Sequence, residues 1–139
     1  MVKTSPFPLR HCAPDLLRVA VIDDQELLSR GLRLLLDQEH DINVVGEAGD
    51  GMAAVRLVAE QRPDVVLLDP CMPPWDSVDT RRRIKALAPS TRIVVLTSRH
   101  QLPILDHSVP AGADGHVRKD SPIDDVAGAI RLVAASAAA

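Results

Sequence analysis

The sequence predicts an α/β fold in which helices cover both faces of one parallel sheet. Short apolar runs typical of strands alternate five times with stretches of helical periodicity, and the connections are short. The run Val65–Leu68 has four consecutive apolar residues, two of them β-branched, as in a strand buried on both faces. Successive strand and helix pairs of this kind form parallel sheets through right-handed crossovers.

The composition predicts a single domain with an aliphatic core. The chain has 139 residues, of which 46% are hydrophobic, but it contains one Trp, one Phe and no Tyr. A domain of this size buries roughly two thirds of the surface of its unfolded chain. Aliphatic side chains must therefore supply almost all of the core.

Charge and cysteine content argue against several classes of protein. The formal net charge of -3 disfavours direct binding of nucleic acid, which needs a basic face. Two cysteines without a CxxC spacing make no disulfide framework, so we predict a reduced, cytoplasmic location. No apolar run approaches the roughly 20 residues of a membrane span, and we expect no membrane partner.

The order of these patterns predicts one folded unit between two short ends. Residues 1–17 contain three prolines and no periodicity, which predicts a flexible N-terminal arm. Residues 18–134 form the predicted domain, and residues 135–139 a fraying tail or the start of a linker. The five predicted strands are Arg18–Ile22, Ile42–Glu47, Val65–Leu68, Arg92–Leu96 and Gly115–Arg118.

The first two predicted helices each direct an apolar stripe towards the sheet. The first spans Gln25–Gln38, and the second begins at Asp50 and ends before Pro63. The stripe of the first helix consists of Leu28, Gly31, Leu32 and Leu35. The stripe of the second consists of Ala54, Val55 and Val58.

The third and fourth predicted helices are less regular. The third spans about Ser77–Ala88, and its arginine run Arg81–Arg83 should form an exposed face. A fourth helix is expected in residues 101–110. Two prolines in that segment, Pro103 and Pro110, predict that it is short or irregular.

The last predicted helix has the clearest start signal. Ser121 suits the N-cap, Pro122 suits the first helical position, and two acidic residues follow in the first turn. Its predicted buried stripe is Ile123, Val126, Ala127, Ile130 and Val133.

Polar side chains stand at the C-terminal ends of four predicted strands. The carboxyl ends of parallel strands meet at one edge of a sheet, where open α/β folds bind their ligands. Five residues of these types at one edge favour an assembled site over a set of caps and turns. They are Asp23 and Asp24 after the first strand, Asp69 after the third, Thr97 after the fourth and Lys119 after the fifth.

Carboxylates held close together repel one another, so a divalent cation is expected among them. Mg²⁺ fits because it binds one or two carboxylates and keeps waters that a phosphate can replace. Asp23 and Asp24 are the predicted ligands. A phosphoryl group on Asp69 would meet the metal, the ammonium of Lys119 and the hydroxyl of Thr97, which suits phosphoryl transfer. Asp69 is therefore the predicted nucleophile.

Structural explanations stay open for individual residues. Asp23 and Asp24 could simply cap the first helix, and Thr97 alone would be an ordinary hydroxyl at a strand end. Cys71 is more readily explained as an incidental loop thiol than as a nucleophile. Trp75, in the same loop, is either an anchor for a partner or a cover over the crevice.

Four motifs lie at the ends of these predicted strands. They are Val21-Ile22-Asp23-Asp24-Gln25, Leu67-Leu68-Asp69 with Met72-Pro73, Val95-Leu96-Thr97-Ser98, and Gly112–Lys119. Together they resemble the receiver domain of two-component response regulators, from about Arg18 to Val133. Leu28–Leu35 and Asp41–Ala48 are similar to the subgroup that usually carries a LuxR-type helix-turn-helix output domain. The resemblance implies a flavodoxin-like sheet with strand order 2-1-3-4-5.

The resemblance also implies a phosphoacceptor function. A sensor histidine kinase would transfer a phosphoryl group from phosphohistidine to Asp69, with Mg²⁺ held by Asp24, Asp69 and the backbone carbonyl of Cys71. Phosphorylation would draw Thr97 inward, and His116, at the position of the switch aromatic, would follow. The face formed by residues 101–110, the fifth strand and the last helix would then change partner and control transcription. A homodimer is expected through that face or through the first and last helices.

Three features depart from the family's pattern. Pro70 has no backbone N–H, so one charge-assisted hydrogen bond to the phosphoryl group would be missing, at roughly 1.5–3 kcal/mol. His116 places a smaller, titratable imidazole at the switch position. Pro103 and Pro110 interrupt a helix of the output face, where Asp106 also takes an expected apolar position.

Two other functions stay open. A degenerate receiver would keep the pocket but act as a phosphorylation-independent interaction module, which the three departures favour. A phosphatase of the same architecture would also form an aspartyl-phosphate. Such enzymes usually place a second aspartate two residues after the nucleophile, where this chain has Cys71. We therefore expect a signalling domain with at most self-phosphorylation and self-dephosphorylation, not an enzyme.

Overall fold

The computed structural model describes residues 16–70, 72–75, 77–98 and 113–138, which form five strands and four helices. The strands are β1 (Leu17–Ile22), β2 (Ile42–Ala48), β3 (Val65–Leu68), β4 (Arg92–Thr97) and β5 (Gly115–Arg118). The helices are α1 (Glu26–Leu36), α2 (Gly51–Gln61), α3 (Ser77–Leu87) and α4 (Ile123–Ala138). All strand pairs are parallel, and the sheet order β2-β1-β3-β4-β5 confirms the predicted fold.

Helices cover both faces of the sheet, which is why the central strands are apolar throughout. Alternate residues of a strand face opposite sides, so β1, β3 and β4 contribute to two separate cores. α1 and α4 close one core, which includes Val19, Leu36, Leu67, Leu96 and Ile130. α2 and α3 close the other, which includes Ile22, Val58, Leu68, Ile84 and Val95. Both cores are aliphatic in the described part of the chain, as the composition predicts.

The register of the strands brings their carboxyl ends to one edge of the sheet. Ile22 in β1 lies opposite Leu68 in β3, and Leu68 lies opposite Val95 in β4. At the next pair of strands, Thr97 lies opposite Arg118 in β5. The residues that follow these positions therefore emerge side by side, which sets the location of the predicted site.

The inner face of α1 differs from the predicted stripe at one position. Leu35 is 45% exposed, whereas Ser29 and Leu36 are buried. The prediction for Leu35 is wrong because the inner stripe runs through Leu32 to Leu36. Neighbouring residues of a helix point about 100° apart, so Leu35 faces away from the core.

The start of α4 lies one residue later than predicted. The carbonyl of Pro122 accepts hydrogen bonds from the amides of Asp125 and Val126, at 2.9 and 3.3 Å. Pro122 therefore precedes the helix instead of occupying its first position. The predicted buried stripe of this helix is confirmed. The helix also extends through the predicted tail as far as Ala138, in keeping with the high helix propensity of alanine.

The arginine run in α3 is not a uniformly exposed face. Arg82 and Arg83 are exposed, but Arg81 is only 1% exposed. It lies on the same side of the helix as the buried residues Thr80 and Ile84. The prediction for Arg81 is wrong because consecutive helical residues point about 100° apart, and the direction of Arg81 falls on the side of α3 that packs against the rest of the domain.

Some predictions fall outside the described residues. These are the arm as far as residue 15, the loop residue Cys71 and the irregular helix in residues 101–110. The division of the chain into arm, domain and tail therefore stays a prediction. Among the described helices, none combines the length and the apolar character that crossing a membrane requires.

Candidate functional site

Three carboxylates meet where β1 and β3 end. Asp23 and Asp69 are almost fully buried, at 2% and 4% exposed, and Asp24 beside them is exposed. One oxygen from each lies within 4.8 Å of the others. The backbone holds the two buried aspartates in place, since Asp23 N–H donates to the Ala48 carbonyl at 3.0 Å and Asp69 N–H donates to the Ile22 carbonyl at 2.8 Å. The structure therefore brings together the acidic residues that the sequence predicts at this edge.

Lys119 closes the site from the end of β5. Its Nζ lies 2.8 Å from Oδ2 of Asp23 and 3.1 Å from Oδ2 of Asp69. The Lys119 N–H also donates to the Thr97 carbonyl at 2.7 Å, which ties the loop carrying the lysine to β4. Burial acts to lower the pKa of Lys119, but the two carboxylates outweigh it and raise that pKa. The ammonium is therefore held charged between the nucleophile candidate and a predicted metal ligand.

Burial raises the pKa of the Asp23 carboxyl, and the negative charge of Asp69 acts in the same direction. The ammonium of Lys119 and the N–H of Gln25, which donates to Asp23 Oδ1 at 2.7 Å, act to lower the pKa but do not compensate. Burial is thus the main reason why the pKa of Asp23 is raised, and the expected repulsion from the neighbouring carboxylate adds to it. Neither Asp23 nor Asp24 caps α1, because the N-cap is Gln25 and no side chain accepts a capping hydrogen bond there. The backbone N–H that donates to Asp23 is that of Gln25 itself, before the helix begins.

Thr97 lies at the end of β4 with its side chain fully buried, at 0% exposed. Within the described part of the chain, its hydroxyl oxygen has no hydrogen-bond partner. A buried hydroxyl left unpaired costs on the order of 1–3 kcal/mol, so its position calls for a physical explanation. Thr97 therefore lies at this edge as a buried hydroxyl that is unpaired among the described residues.

The remaining residues that the sequence singles out are His116, Cys71 and Pro70. His116 lies in β5 opposite Val95 and is exposed. Cys71 is outside the described residues. Pro70, which follows Asp69 directly, is buried. The backbone donor that Pro70 cannot provide is therefore missing at an enclosed position.

A hard divalent cation fits the three carboxylates. Ligands on opposite sides of an octahedral Mg²⁺ are separated by roughly 4.2 Å, given bonds of about 2.1 Å. The oxygens of Asp23, Asp24 and Asp69 already lie within a similar distance of one another. A cation would also favour the ionised form of Asp23, which burial and the charge of Asp69 both disfavour. These three residues are therefore the ones that could hold Mg²⁺.

The structure shows a cluster of three residues beside the site whose mutual contacts the sequence does not predict. Trp75 packs against Gly51 at the start of α2, and the guanidinium of Arg83 lies over its ring. A single Trp shortly after Asp69 marks this loop in the sequence, which allows Trp75 to be either an anchor for a partner or a cover over the crevice. Its partners come from different elements, so no local pattern could have identified them.

Comparison with known proteins identifies the family. The family model for the response regulator receiver domain matches residues 19–131. The transcriptional regulatory protein LiaR of Bacillus subtilis is 37% identical over 116 residues, which are 84% of this chain and 55% of LiaR. The oxygen regulatory protein NreC of Staphylococcus epidermidis is 34% identical over 118 residues, which are 84% of this chain and 54% of NreC. The chain thus spans about half the length of these curated relatives.

Solved structures agree with this assignment. The signal receiver domain of NarL from Mycobacterium tuberculosis superposes with a TM-score of 0.79 at 33% identity and covers 88% of this chain and 98% of that one. The response regulator domain of CheB from Thermotoga maritima gives a TM-score of 0.76 at 26% identity and covers 86% of this chain and 97% of that one. The chain belongs to the response regulator receiver domain family.

Proposed function

We propose that this receiver domain accepts a phosphoryl group on Asp69 from the phosphohistidine of a sensor histidine kinase. The observation that carries the proposal is the position of Lys119, whose ammonium lies 2.8 Å from Asp23 and 3.1 Å from Asp69. A partly buried lysine between two carboxylates neutralises charge where an incoming phosphoryl group would add more. Membership of the receiver family supports the same assignment.

The transfer needs little covalent chemistry from the protein. A carboxylate oxygen of Asp69 forms a bond to phosphorus while the bond from phosphorus to the imidazole nitrogen breaks, and that nitrogen keeps the electron pair. Lys119 stabilises the charge on the phosphoryl oxygens, and the hydroxyl of Thr97 donates a hydrogen bond to one of them. Bound Mg²⁺ would neutralise the negative charge shared by the phosphoryl group and the carboxylates.

We assign the metal to Asp23, Asp24 and Asp69, with the backbone carbonyl of Cys71 as a fourth protein ligand. Mg²⁺ usually retains several waters, so an exposed ligand such as Asp24 suits it. Support comes from the spacing of the three carboxylates, within 4.8 Å of one another. The role of Cys71 rests on the family pattern alone.

The proposed output is a change of partner after phosphorylation. Thr97 would turn towards the phosphoryl group and exchange an unpaired, buried state for a hydrogen bond. His116, on the edge strand β5, would report this change on the face that β5 shares with α4, through which a second copy could bind. The α1 and α4 side is the alternative dimer face. Control of transcription in the cytoplasm, without direct contact between this domain and nucleic acid, is proposed because the curated relatives LiaR and NreC are regulatory proteins.

The proposal is tested with Mg²⁺ and acetyl phosphate, followed by intact-mass measurement. The wild-type chain should gain the mass of one phosphoryl group, and Asp69→Asn should not. Beryllofluoride with Mg²⁺ should change the fluorescence of Trp75, the only Trp in the chain. A wild-type chain that neither gains mass nor responds saturably to Mg²⁺ and beryllofluoride contradicts the phosphoacceptor function.

A degenerate receiver is the second candidate, and Pro70 is the observation that favours it. This residue is buried directly beside Asp69 and cannot donate a backbone hydrogen bond to a phosphoryl group. In that case the domain would bind its partner without phosphate. The experiment above separates the two functions, because the degenerate receiver predicts no mass gain. A separate binding measurement should then find equal affinity for the partner in Asp69→Asn and wild type.

A further inference from the structure

The loop that follows Asp69 has few backbone donors with which to fix itself. We name Pro70–Trp75 the acceptor loop, of which Pro70 and Met72–Trp75 are described. Three of its six residues are prolines, which have no N–H. A loop of this composition must be held through its carbonyl oxygens and its side chains.

Two contacts fix the middle of the acceptor loop. Met72 is 2% exposed and packs into the core closed by α2 and α3. The carbonyl of Pro73 accepts a hydrogen bond of 2.8 Å from the N–H of Gly51, at the first turn of α2. The first N–H groups of a helix have no acceptor within the helix, so the carbonyl of Pro73 supplies an acceptor that α2 itself cannot provide.

Trp75 makes the third contact, and it depends on the absence of a side chain at position 51. A Cβ atom at Gly51 would lie 2.8 Å from Cε3 of Trp75 and 3.3 Å from Cζ3. The indole ring therefore rests directly on the backbone of α2. The guanidinium of Arg83 in α3 lies over the same ring, with its Cζ 4.0 Å from the ring centroid, within the range of a cation–π interaction.

We propose that Trp75 is a positioning residue for the phosphoacceptor site. Clamped by its contacts with Gly51 and with Arg83, the ring holds the acceptor loop against α2 and α3. The loop is then already in place before Mg²⁺ and a phosphoryl group bind. Residues that orient a metal site from outside commonly change metal affinity when they are replaced. This proposal rests on the proposed function, since it concerns the binding of that metal and phosphoryl group.

The clamp itself is tested in the absence of ligand through Trp75 fluorescence. Gly51→Ala should displace the ring and shift its emission to longer wavelength, although alanine is otherwise favourable in a helix. Arg83→Ala should shift the emission in the same direction by exposing the ring. Arg82→Ala is the matched control, because Arg82 is the neighbouring exposed arginine and pairs with Asp79 at 3.7 Å. Equal emission from all four proteins overturns the clamp.

The positioning role is tested by measuring the affinity for Mg²⁺ and then for beryllofluoride by calorimetry. Trp75→Ala and Gly51→Ala should each weaken Mg²⁺ binding by about tenfold. Trp75→Phe, which keeps an aromatic ring, should recover most of the affinity, and Arg82→Ala should match wild type. Thermal unfolding of each variant separates this effect from loss of the fold.

The outcomes distinguish the two proposals. Wild-type affinity in Trp75→Ala overturns the positioning role and leaves the phosphoacceptor function intact. Failure of the wild-type protein itself to bind Mg²⁺ and beryllofluoride overturns the phosphoacceptor function, and the positioning role with it. Weakened binding in Trp75→Ala that Trp75→Phe does not restore also contradicts a role for the aromatic ring.

Discussion

Two adjacent aspartates have different environments, and the difference decides what each can do. Asp23 is buried against Lys119, whereas Asp24 faces solvent. Desolvation and the charge of Asp69 disfavour the ionised form of the buried carboxylate and raise its pKa, whereas the ammonium of Lys119 acts in the opposite direction. The exposed carboxylate can approach a hydrated ion without that cost. The site thus contains one buried carboxylate, whose ionised form is disfavoured, and one carboxylate exposed to solvent.

Lys119→Met should slow phosphorylation of Asp69 without unfolding the protein. The substitution removes the ammonium that lies 3.1 Å from Asp69, and loss of one such stabilising group typically slows chemistry by about 10²–10³-fold. The measurement is the rate of mass gain with acetyl phosphate. Arg118→Met is the control, because Arg118 is adjacent but pairs with Asp120. Equal rates for Lys119→Met and wild type would contradict the role of the lysine.

The metal-free protein should lose stability as pH rises because of Asp23. The pKa of this carboxyl is raised above its ordinary value of 3.8, so the folded state binds the proton more tightly than the unfolded chain does. The free energy of unfolding therefore decreases from about pH 3.8 up through the pKa of folded Asp23. Asp23→Asn should lack this decrease when urea unfolding is followed in a chelator.

Asp24→Asn serves as the control for that experiment, because it removes a charge from the exposed neighbour. In Asp24→Asn, the free energy of unfolding should still fall with rising pH by most of the amount seen in wild type. Addition of Mg²⁺ to wild type should reverse the loss of stability at neutral pH, since the cation stabilises the ionised carboxylates. A pH profile that Asp23→Asn does not change would mean that another group causes the decrease.

At the scale of elements, an ion cluster joins α4 to the turn between α1 and β2. The guanidinium of Arg131 bonds both oxygens of Asp41 at 2.8 Å and Oε1 of Glu39 at 2.7 Å. The hydrogen bonds from Arg131 lower the pKa of Asp41, more strongly than its slight burial raises it. The cluster closes the side of the core where α1 and α4 pack together, so it fixes one of the two proposed dimer faces.

Arg131→Met should reduce the free energy of unfolding at neutral pH by about 1 kcal/mol, because a partly exposed pair is screened by solvent. The lowered pKa of Asp41 means that this stabilisation is complete above pH 3.8 and is lost as pH falls through the pKa of the folded state. Urea unfolding at pH 7 and near pH 2 measures both. Arg30→Met removes the exposed Arg30 and Glu26 pair within α1 and should change stability less. A loss that persists unchanged in acid would contradict the electrostatic origin.

For the whole molecule, the site exists because parallel strands end together. Its residues come from four strand ends separated by nearly a hundred positions, from Asp23 to Lys119. The sheet order puts β1 and β3 side by side, which is why Asp23 and Asp69 become neighbours.

Much of this could be predicted from the sequence for a physical reason. Buried parallel strands must be apolar on both faces, so runs such as Val65–Leu68 are recognisable locally. Each strand ends where a polar residue meets solvent or a ligand, so Asp69 and Lys119 could be assigned to one edge before their distance was known. The order of strands and helices then allowed few topologies.

The errors have a common cause. Arg81 belongs to a charged run, yet it is buried, because burial of a helical residue depends on what packs over that side of the helix. Leu35 is apolar, yet nearly half exposed, because no element covers it among the described residues. Residue type alone does not report which neighbour lies above a position.

The sequence by itself determined the α/β fold, the order of its elements and the edge that gathers the acidic residues, because periodicity and strand ends are local properties of the chain. Only the tertiary structure decided that Asp23 is the buried partner of Lys119, that Arg81 points inward and that Trp75 rests on Gly51 beneath Arg83. Those facts depend on which elements pack against one another, and they arise only when the helices pack onto the sheet.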